Sequence, residues 1–425
     1  MHPPLTPTAP LLPAGTRATS APRTLLRRTQ RGLTGAVLCF AGFAGTTQAA
    51  VPQAQRDALV ALYNATNGPG WTNRGNWLVG DPCDDGWFGI SCGLGGTTVT
   101  HVNLENNRLG GNLSALGDLA DLQSFEASNN QLTGSIPPLT GLTALTFFSV
   151  SSNQLTGPLP DLTGLSNLKD FRVYRNQLSG PIPSLAGLTA LLYVGVNSNQ
   201  LTGSLPDLSG LSSLEQFDAY SNQLSGPIPP LAGAPNLRSI NISGNQLTGP
   251  IPAVAGLADL AYFNVERNQL SGSLPSLAGL ANLDTFNAQD NQLTGSIPPL
   301  SGLASLRYFG VEDNSLTGPA PDLAGLNALQ RFLVGYNQLS GPVPVAPASL
   351  TAGLSTLCPN QFAPPTGSAN DLAWNTATGR SSWYAPCATP GPSAVVPVPT
   401  LQEAALAGLA LMLAGIAALR LRRGG

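Results

Sequence analysis

Asparagine recurs at a fixed interval of 23 residues through the middle of this chain, and no other feature constrains its fold as strongly. A constant period of this length indicates a solenoid, in which each repeat forms one turn and neighbouring turns bury one another. The sequence therefore predicts one array of eleven turns, numbered here in chain order. Their asparagines are Asn107, Asn130, Asn153, Asn176, Asn199, Asn222, Asn245, Asn268, Asn291, Asn314 and Asn337.

Each repeat places an alternating apolar pair before its asparagine. In turn 3 the pair is Phe148 and Val150, the period-two pattern of a short strand with one buried face. The asparagine amide carries donors and an acceptor, so it can satisfy backbone groups that a bend hides from water. Gly157 permits a further bend, and Pro160 favours an extended back side. We expect parallel strands side by side and a ladder of stacked asparagines.

The repeat resembles the leucine-rich repeat, and its Leu-Thr/Ser-Gly-x-Ile/Leu-Pro stretch resembles the plant receptor subclass. That stretch occupies residues 155–160 in turn 3 and 247–252 in turn 7. The resemblance covers residues 98–345 and implies an α/β-type solenoid, a right-handed superhelix with short parallel strands on its concave face. These turns are one residue shorter than the usual plant repeat, and the missing residue falls after the proline.

Cysteines flank the repeats in two pairs. Cys83 and Cys92 precede them, and Cys358 and Cys387 follow them. An even set of cysteines in an exported chain indicates disulfides. A zinc site is the alternative, but pairs separated by 266 residues do not form a local tetrahedral set. We therefore expect no metal and no cofactor.

Both flanks of the repeats predict caps, because an open solenoid end would expose a core face. Residues 50–97 contain the order Trp…Asp-Pro-Cys…Trp-x-Gly-Ile-x-Cys. This order resembles the amino-terminal cap of plant leucine-rich repeat proteins and implies a Cys83–Cys92 disulfide. Such a bridge contributes about 2–3 kcal/mol. Residues 346–390 place Trp374 and Trp383 between the other two cysteines, which predicts an opposite, disulfide-bonded cap.

The beginning of the chain has the layout of an export signal. Residues 1–49 combine a basic stretch from Arg17 to Arg31 with an apolar run over residues 32–45. Small residues follow at the expected cleavage position, so we predict a signal peptide. A twin-arginine signal at Arg27 and Arg28 is the alternative.

The end of the chain predicts a second targeting element within residues 391–425. A Pro/Val linker leads to Val398-Pro399-Thr400-Leu401, then to sixteen uncharged residues at 404–419 and closing arginines. As a helix, this apolar segment spans ~24 Å, less than the ~30 Å hydrocarbon core. The tail resembles bacterial sorting signals of the Ile-Pro-Thr-Leu type. That resemblance implies a bacterial protein routed to the cell surface, with membrane contact through the helix before any processing. An ordinary membrane anchor is the alternative.

Charge excludes one class of partner, and residue inventory disfavours catalysis. Residues 50–400 hold ten arginines and one lysine against 21 carboxylates, which argues against nucleic acid because phosphate binding needs a basic face. His101 is isolated once a signal containing His2 is removed. Carboxylate pairs near the carboxy end leave a glycan hydrolase as an alternative, although an open sheet rarely supplies the desolvated pocket that such a pair needs. These carboxylates are Glu266, Asp290, Glu312 and Asp313.

Tyrosines are concentrated at the strand positions that the repeat directs away from the core. These positions lie six, four, two and one residues before each asparagine, and they hold six of the eight tyrosines. Tyrosine combines a large apolar face with a polar tip at low entropic cost, as contact surfaces require. Strand preference for aromatic residues is the alternative explanation. The candidate ligand-binding residues are Arg172, Tyr174, Arg175, Tyr193, Asp218, Tyr220, Tyr262, Glu266, Tyr308, Glu312 and Tyr336.

The sequence thus predicts an exported, non-catalytic cell-surface protein that binds a protein, peptide or glycan on its concave face. Eleven strands at ~4.8 Å give a surface about 50 Å long, which suits a chain-like ligand from a host or a neighbouring cell. A structural adhesion or matrix component without a discrete ligand is the alternative.

Overall fold

The computed structural model describes residues 50–387, except residues 94, 114 and 115. The predicted signal peptide, the tail after residue 390 and its apolar helix lie outside the described residues. Helix α1 spans Gln53–Ala65 and α2 spans Ala369–Thr378, with short 3-10 turns at Gly68–Gly70 and Ala385–Cys387. Within the described part of the chain, no helix is both long and apolar enough to cross a membrane.

The remaining elements are short strands, and most turns of the solenoid contribute two of them. In chain order they are β1 (Ile90–Cys92), β2 (Val99–Asn103), β3 (Gly110–Asn112), β4 (Ser124–Glu126), β5 (Gln131–Thr133), β6 (Phe147–Ser149), β7 (Thr156–Gly157), β8 (Asp170–Arg172), β9 (Gln177–Gly180), β10 (Tyr193–Gly195), β11 (Gln200–Leu201), β12 (Gln216–Asp218), β13 (Ser225–Pro227), β14 (Ser239–Asn241), β15 (Gln246–Gly249), β16 (Tyr262–Asn264), β17 (Gln269–Ser273), β18 (Thr285–Asn287), β19 (Gln292–Gly295), β20 (Tyr308–Gly310), β21 (Ser315–Gly318), β22 (Arg331–Leu333), β23 (Gln338–Gly341) and β24 (Gln361–Phe362).

The even-numbered strands β2 to β22 form one parallel sheet, the inner sheet, with one strand from each of the eleven turns. Strand β1 extends this sheet by antiparallel pairing with β2. The register repeats between turns, so that Phe125 lies opposite Phe148 and Phe148 lies opposite Phe171. The predicted parallel solenoid of 23-residue turns is confirmed.

A second, discontinuous set of parallel strands follows the asparagines. The odd-numbered strands form a two-stranded, a three-stranded and a seven-stranded sheet, the last ending on β24. The odd-numbered strands contain or lead into a glycine with positive φ, such as +79° at Gly157 and +80° at Gly226. A Cβ at Gly157 would also lie 3.5 Å from Ser135 of the preceding turn. Glycine is therefore required at this bend by conformation, and the bend allows turns to stack closely.

Leucine, phenylalanine and valine side chains fill the space between the two sets of strands and form one continuous core. Phenylalanines stack along the inner sheet in two runs. The first run is Phe125, Phe148 and Phe171, with centroids 5.6 and 5.8 Å apart. The second run is Phe263, Phe286, Phe309 and Phe332, with centroids 5.4 to 5.8 Å apart. Val194 and Ile240 occupy the corresponding positions in turns 5 and 7, so the stack is interrupted there.

The asparagines form the predicted ladder and join consecutive turns through the backbone. In turn 6, the Asn222 carbonyl oxygen accepts the N–H of Leu201 at 3.0 Å. Its Nδ2 donates to the carbonyl of Val196 in the preceding turn and to the carbonyl of Ala219 in its own turn, both at 3.1 Å. One amide therefore satisfies backbone groups on two turns, and the same contacts recur through the array.

The ladder has a twelfth rung that we did not predict. Asn360 lies 23 residues after Asn337, accepts the N–H of Leu339 at 2.8 Å and donates to the carbonyl of Val334 at 2.7 Å. Its turn is degenerate, because Ser355 replaces the core phenylalanine and accepts the N–H of Phe332 at 3.2 Å. The carboxy-terminal cap therefore begins as a modified repeat.

An aromatic cluster closes the amino-terminal end. Tyr63 of α1 packs against Trp71 and Trp77, with centroids 5.1 and 5.6 Å apart, and Trp77 lies 5.0 Å from Trp87. The first ladder asparagine ties this cap to the array, since Asn107 Oδ1 accepts the N–H of Asn73 at 2.6 Å. Cys83 and Cys92 are bonded, with Cα atoms 5.9 Å apart.

Helix α2 closes the opposite end. Its capping box joins Ser368 and Asp371, and Trp374 on its buried face lies 6.1 Å from Phe332, the last phenylalanine of the stack. The bond between Cys358 and Cys387, with Cα atoms 5.0 Å apart, fixes the segment after the helix to the twelfth turn. Both predicted disulfides are present.

Replacing a central ladder asparagine should destabilise the fold strongly. Asn222→Ala leaves the N–H of Leu201 and two carbonyls without this partner, and one unsatisfied buried group costs ~1–3 kcal/mol. We expect a loss of about 3 kcal/mol in the free energy of unfolding, measured by urea denaturation. Asn327→Ala is the matched control, because the Asn327 side chain is exposed and forms no hydrogen bond with any residue that the structure describes. Equal effects of the two substitutions would contradict the ladder's role.

Turns 5 to 7 should open more readily than the turns on either side. The phenylalanine stack is interrupted there, because Val194 and Ile240 occupy the phenylalanine positions of turns 5 and 7. Solenoid stability depends on interfaces between neighbouring turns, so amide hydrogens of β10, β12 and β14 should exchange faster than those of β6 and β18. Hydrogen exchange measured by mass spectrometry tests this. Protection that declines only toward the two ends would contradict it.

Candidate functional site

Four columns of side chains cross the face of the inner sheet that points away from the core. They contain the residues six, four, two and one positions before each ladder asparagine, and we call them columns −6, −4, −2 and −1. The intervening positions of the strands, such as Phe171 and Val173, are buried. All eleven candidate binding residues lie on these columns, but the structure divides them into two contact clusters and a set of free side chains.

The first cluster spans turns 3 to 6 and is centred on Arg172. Its guanidinium lies 5.3 Å from the Phe147 ring centroid and 5.0 Å from that of Tyr193. It also donates two hydrogen bonds to Asp170, at 2.7 and 2.6 Å. Two aromatic rings and one carboxylate therefore hold Arg172 in place. Phe147 and Asp170 belong to the cluster although we did not select them.

Tyr193 lies flat along the sheet in this cluster. A Cβ at Gly195 would lie 2.6 Å from the Tyr193 hydroxyl oxygen, so glycine in column −4 makes room for the ring. The hydroxyl donates to Asp218 at 3.3 Å, and Gln216 donates to the same carboxylate at 2.7 Å. Burial raises the pKa of Asp218, and burial together with the Asp218 carboxylate raises the pKa of Tyr193. This part of the face is preorganised and largely desolvated.

The second cluster spans turns 8 to 10 and is acidic. Glu266 accepts a hydrogen bond from Asn287 at 2.9 Å, and the exposed Arg267 guanidinium lies 3.4 Å from Glu266 and 3.3 Å from Asp290. Tyr262 contacts this region, since its hydroxyl accepts a hydrogen bond from Asn264 at 3.2 Å. One arginine is therefore shared by two carboxylates.

Tyr308 closes the second cluster in the same manner as Tyr193 closes the first. Its ring covers Gly310, where a Cβ would lie 2.8 Å from a ring carbon. The hydroxyl accepts a hydrogen bond from Gln289. Burial and the nearby Glu266 carboxylate raise the pKa of Tyr308 to about 12. The same glycine-under-tyrosine arrangement thus occurs twice, five turns apart.

The last acidic residues lack a counter-charge. Among the described residues, Glu312 and Asp313 form no ion pair within 4.0 Å. Burial, together with repulsion between neighbouring carboxylates, raises the pKa of both. Glu312 reaches over the next turn, since a Cβ at Gly335 would lie 3.0 Å from its carboxylate. Negative potential therefore accumulates over turns 8 to 10.

Four candidate residues remain available for a partner. Tyr174 and Tyr220 in column −2 are partly exposed, and Arg175 in column −1 is exposed. Tyr336 in turn 11 is 56% exposed. Within the described part of the chain, no side-chain hydrogen bond or ion pair engages Arg175, Tyr174 or Tyr336. The structure therefore separates side chains that are held by contacts within the face from side chains that are not.

Column −1 holds its residues in the left-handed backbone region in every turn. The φ angle is +54° at Arg175, +54° at Arg267, +52° at Asp313 and +51° at Tyr336. Glycine adopts this conformation without strain, as Gly244 does in turn 7 at +62°, whereas other L-residues pay roughly 1–2 kcal/mol. Arginine and tyrosine are tolerated less well in this backbone region than the asparagine and aspartate that other turns place there.

Comparison with known proteins agrees with this architecture. Residues 236–257 match the Leucine Rich Repeat family model, and residues 396–423 match the IPTL-CTERM motif. The curated Protein STRUBBELIG-RECEPTOR FAMILY 5 of Arabidopsis thaliana is 34% identical over 86 residues, which cover 19% of this chain and 11% of that protein.

Two solved structures share the fold over much of this chain. The plant peptide hormone receptor RGFR1 in complex with RGF2 is 32% identical with a TM-score of 0.57, over 61% of this chain and 43% of that one. The ectodomain of the Arabidopsis receptor kinase HAESA, in complex with an IDA peptide hormone ligand, is 26% identical with a TM-score of 0.56. The match covers 73% of this chain and 56% of that one. This chain therefore has the leucine-rich repeat fold. It spans about half the length of these receptors.

The repeats are of the plant receptor type, and the tail carries an IPTL-type sorting motif. A fold of this kind is typical of ligand-binding ectodomains rather than enzymes, and the motif fits an exported surface protein. No group of three or more histidine, cysteine or acidic side chains among residues 50–387, as far as they are described, is arranged to hold a metal.

Exchanging a strained residue of column −1 for glycine should stabilise the fold. Arg175→Gly relieves the backbone at φ +54°, and the gain is partly offset by the greater chain entropy of glycine when unfolded. We expect the free energy of unfolding, measured by urea denaturation, to increase by about 0.5–1 kcal/mol. Lys169→Gly is the control, because Lys169 lies outside the four columns and its φ is not positive. Destabilisation by Arg175→Gly would show that Arg175 serves the fold.

Proposed function

We propose that this protein is exported, is displayed at a bacterial cell surface through its sorting tail, and binds a peptide or protein on the four inner columns without catalysing a reaction. The distribution of tyrosine carries the proposal. Six of the eight tyrosines lie on these columns, whereas the buried strand positions use phenylalanine, valine, isoleucine and alanine.

The packing of the tyrosines supports a contact surface. Tyr193 and Tyr308 are pinned over glycines, so they present ring surface with little remaining entropy to lose on binding. Tyr174, Tyr220 and Tyr336 retain exposed area. Rigid aromatic area surrounded by polar groups is the usual composition of binding hot spots.

The related structures favour a peptide over the other ligand classes. RGFR1 is solved with RGF2, and HAESA with an IDA peptide hormone ligand. The inner sheet has eleven parallel strands, which give ~50 Å of surface at ~4.8 Å per strand. That length accommodates an extended chain of more than ten residues at ~3.3 Å each. The net acidic charge of the repeats disfavours nucleic acid.

Removing exposed tyrosine rings should abolish ligand capture without unfolding the protein. We expect the double substitution Tyr174→Ala and Tyr220→Ala to weaken binding by at least tenfold, because truncating a hot-spot residue costs ~2 kcal/mol or more. The full chain and the variant are each used to capture peptides and proteins from secreted and surface extracts. Affinity for each captured ligand is then measured by calorimetry.

The matched control is Tyr384→Ala, since Tyr384 is partly buried but belongs to the carboxy-terminal cap. The melting temperature of every variant is measured, so that loss of binding can be separated from unfolding. Unchanged binding by the double variant would overturn recognition through these columns. Cell adhesion that persists without any captured ligand would instead favour a structural component, and exclusive capture of glycans would change the ligand class.

A further inference from the structure

We propose that export completes the amino-terminal cap, because cleavage before Ala50 creates an α-ammonium group that pairs with the Asp81 carboxylate. The inference rests on the proposed function, since it requires that a leader is removed during export. It gives the new amino terminus a role in closing the first end of the solenoid. The processed chain is then more stable than the same chain without that positive charge.

Val51 is the first buried side chain in the described part of the chain. It is only 5% exposed and packs into the hydrophobic core. Its N–H donates to Asp81 Oδ2 at 2.9 Å, and the carbonyl of the next residue, Pro52, accepts the N–H of Gln55 at the start of α1. Ala50, by contrast, is exposed. One exposed residue therefore separates the packed cap from the peptide bond that the leader pattern predicts to be cleaved.

The backbone nitrogen of Ala50 lies close to the Asp81 carboxylate. The Val51 nitrogen is 2.9 Å from Asp81 Oδ2, and one residue of chain spans at most ~3.6 Å. The Ala50 nitrogen is therefore no more than ~6.5 Å from that oxygen. Opposite charges at about this distance stabilise the charged forms of both groups. In the uncleaved chain this nitrogen belongs to a peptide bond and is uncharged, so only cleavage creates the interaction.

Hydrogen bonds fix the Asp81 carboxylate in place beside Val51. Its Oδ1 accepts the N–H of Cys83 at 2.8 Å and that of Asp84 at 3.2 Å, while Oδ2 accepts the N–H of Val51. Burial by itself raises the pKa of Asp81, but these three N–H groups and the charge of Arg56 lower that pKa overall. The carboxylate is therefore ionised at every pH at which an α-amino group changes its charge.

The cap around Asp81 has an excess of negative charge. Asp84 and Asp85 follow in the same loop and are exposed. Among the described residues, none of these three carboxylates has a cationic nitrogen within 4.0 Å. The Arg56 guanidinium donates to the Gly80 carbonyl at 3.1 Å and lies 5.5 Å from the centroid of a buried tryptophan ring. A positive charge at the amino terminus would supply the direct partner that Asp81 lacks.

Helix α1 brings further charged groups to this end of the chain, since Gln55 bonds to Val99 of β2 and to Asp121 before β4. The titratable groups on the surrounding elements are Arg56 and Asp57 on α1, Asp84 and Asp85 on the loop, His101 on β2, and Asp121. Side chains of these types ordinarily change charge below about pH 7.5 or above pH 12, whereas an α-amino group does so near pH 8. A change of stability near pH 8 to 9 therefore reports on the amino terminus.

The amino terminus can be labelled selectively, because Lys169 is the only lysine in the chain. In a Lys169→Arg background, reductive methylation with isotope-labelled formaldehyde marks the α-amino group alone for NMR. The protein is recovered after export, and mass spectrometry should identify Ala50 as its first residue. We expect Asp81→Asn to raise the acid dissociation constant of the labelled amine about threefold to tenfold. Asp84→Asn is the matched control, because it removes an equal charge from an exposed side chain nearby, and it should change the constant less than twofold.

Acetylation of the same amine tests whether its charge stabilises the fold. At about pH 6.5, urea denaturation should show that acetylation increases the equilibrium constant of unfolding about twofold to fivefold. Pairing raises the pKa of the amine in the folded chain above its unfolded value of about 8. The stabilisation is therefore complete below that value and is lost as the pH rises through the higher, folded pKa. The difference between free and acetylated protein should disappear by about pH 10.

The outcomes separate this inference from the export on which it rests. An exported chain whose amine is indifferent to Asp81→Asn, or whose stability difference on acetylation is the same at every pH, would overturn the pairing and leave export intact. An exported chain that begins at a residue other than Ala50 would also overturn the proposal. A protein that stays in the cytoplasm with residues 1–49 attached would overturn both the pairing and export.

Discussion

The carboxamide of the repeated asparagine is the interaction on which the rest of this structure depends. A strand that turns sharply inward buries N–H and C=O groups that no strand partner reaches, and leaving them unsatisfied would cost several kcal/mol per turn. Each ladder asparagine supplies one acceptor and two donors to two consecutive turns, as Asn222 does. Aspartate lacks the donors and glutamine is too long, which explains why the residue does not vary.

The four inner columns are free to vary in sequence, because they are not part of the asparagine ladder or of the buried core. The ladder and the buried leucines stabilise the array, so residues such as Tyr174 and Arg175 contribute little to folding and can be chosen for contact. Stabilisation is nevertheless uneven. The phenylalanine stack is interrupted by Val194 in turn 5 and Ile240 in turn 7, close to Tyr193 and Asp218.

Repetition made most of the fold predictable. Period, strand position, ladder and disulfide-bonded caps followed from spacing and resemblance. The twelfth rung at Asn360 was missed although it keeps the 23-residue spacing. Ser349, Ala352 and Ser355 lie 23 residues after the core residues Leu326, Leu329 and Phe332, so the apolar pattern that marks a repeat is lost. Adding one more 23-residue period to Asn337 would have identified Asn360 from the sequence alone.

The sequence by itself determined which residues face away from the core, because a strand alternates its side chains and the period places every strand alike. It could not determine which of those residues remain available. Arg172 and Arg175 are equivalent in charge, yet Arg172 is held by Phe147, Asp170 and Tyr193 from three turns. Only the tertiary structure decided this, since lateral packing between turns brings Phe147 and Tyr193, which are 25 and 21 positions away in the chain, against Arg172.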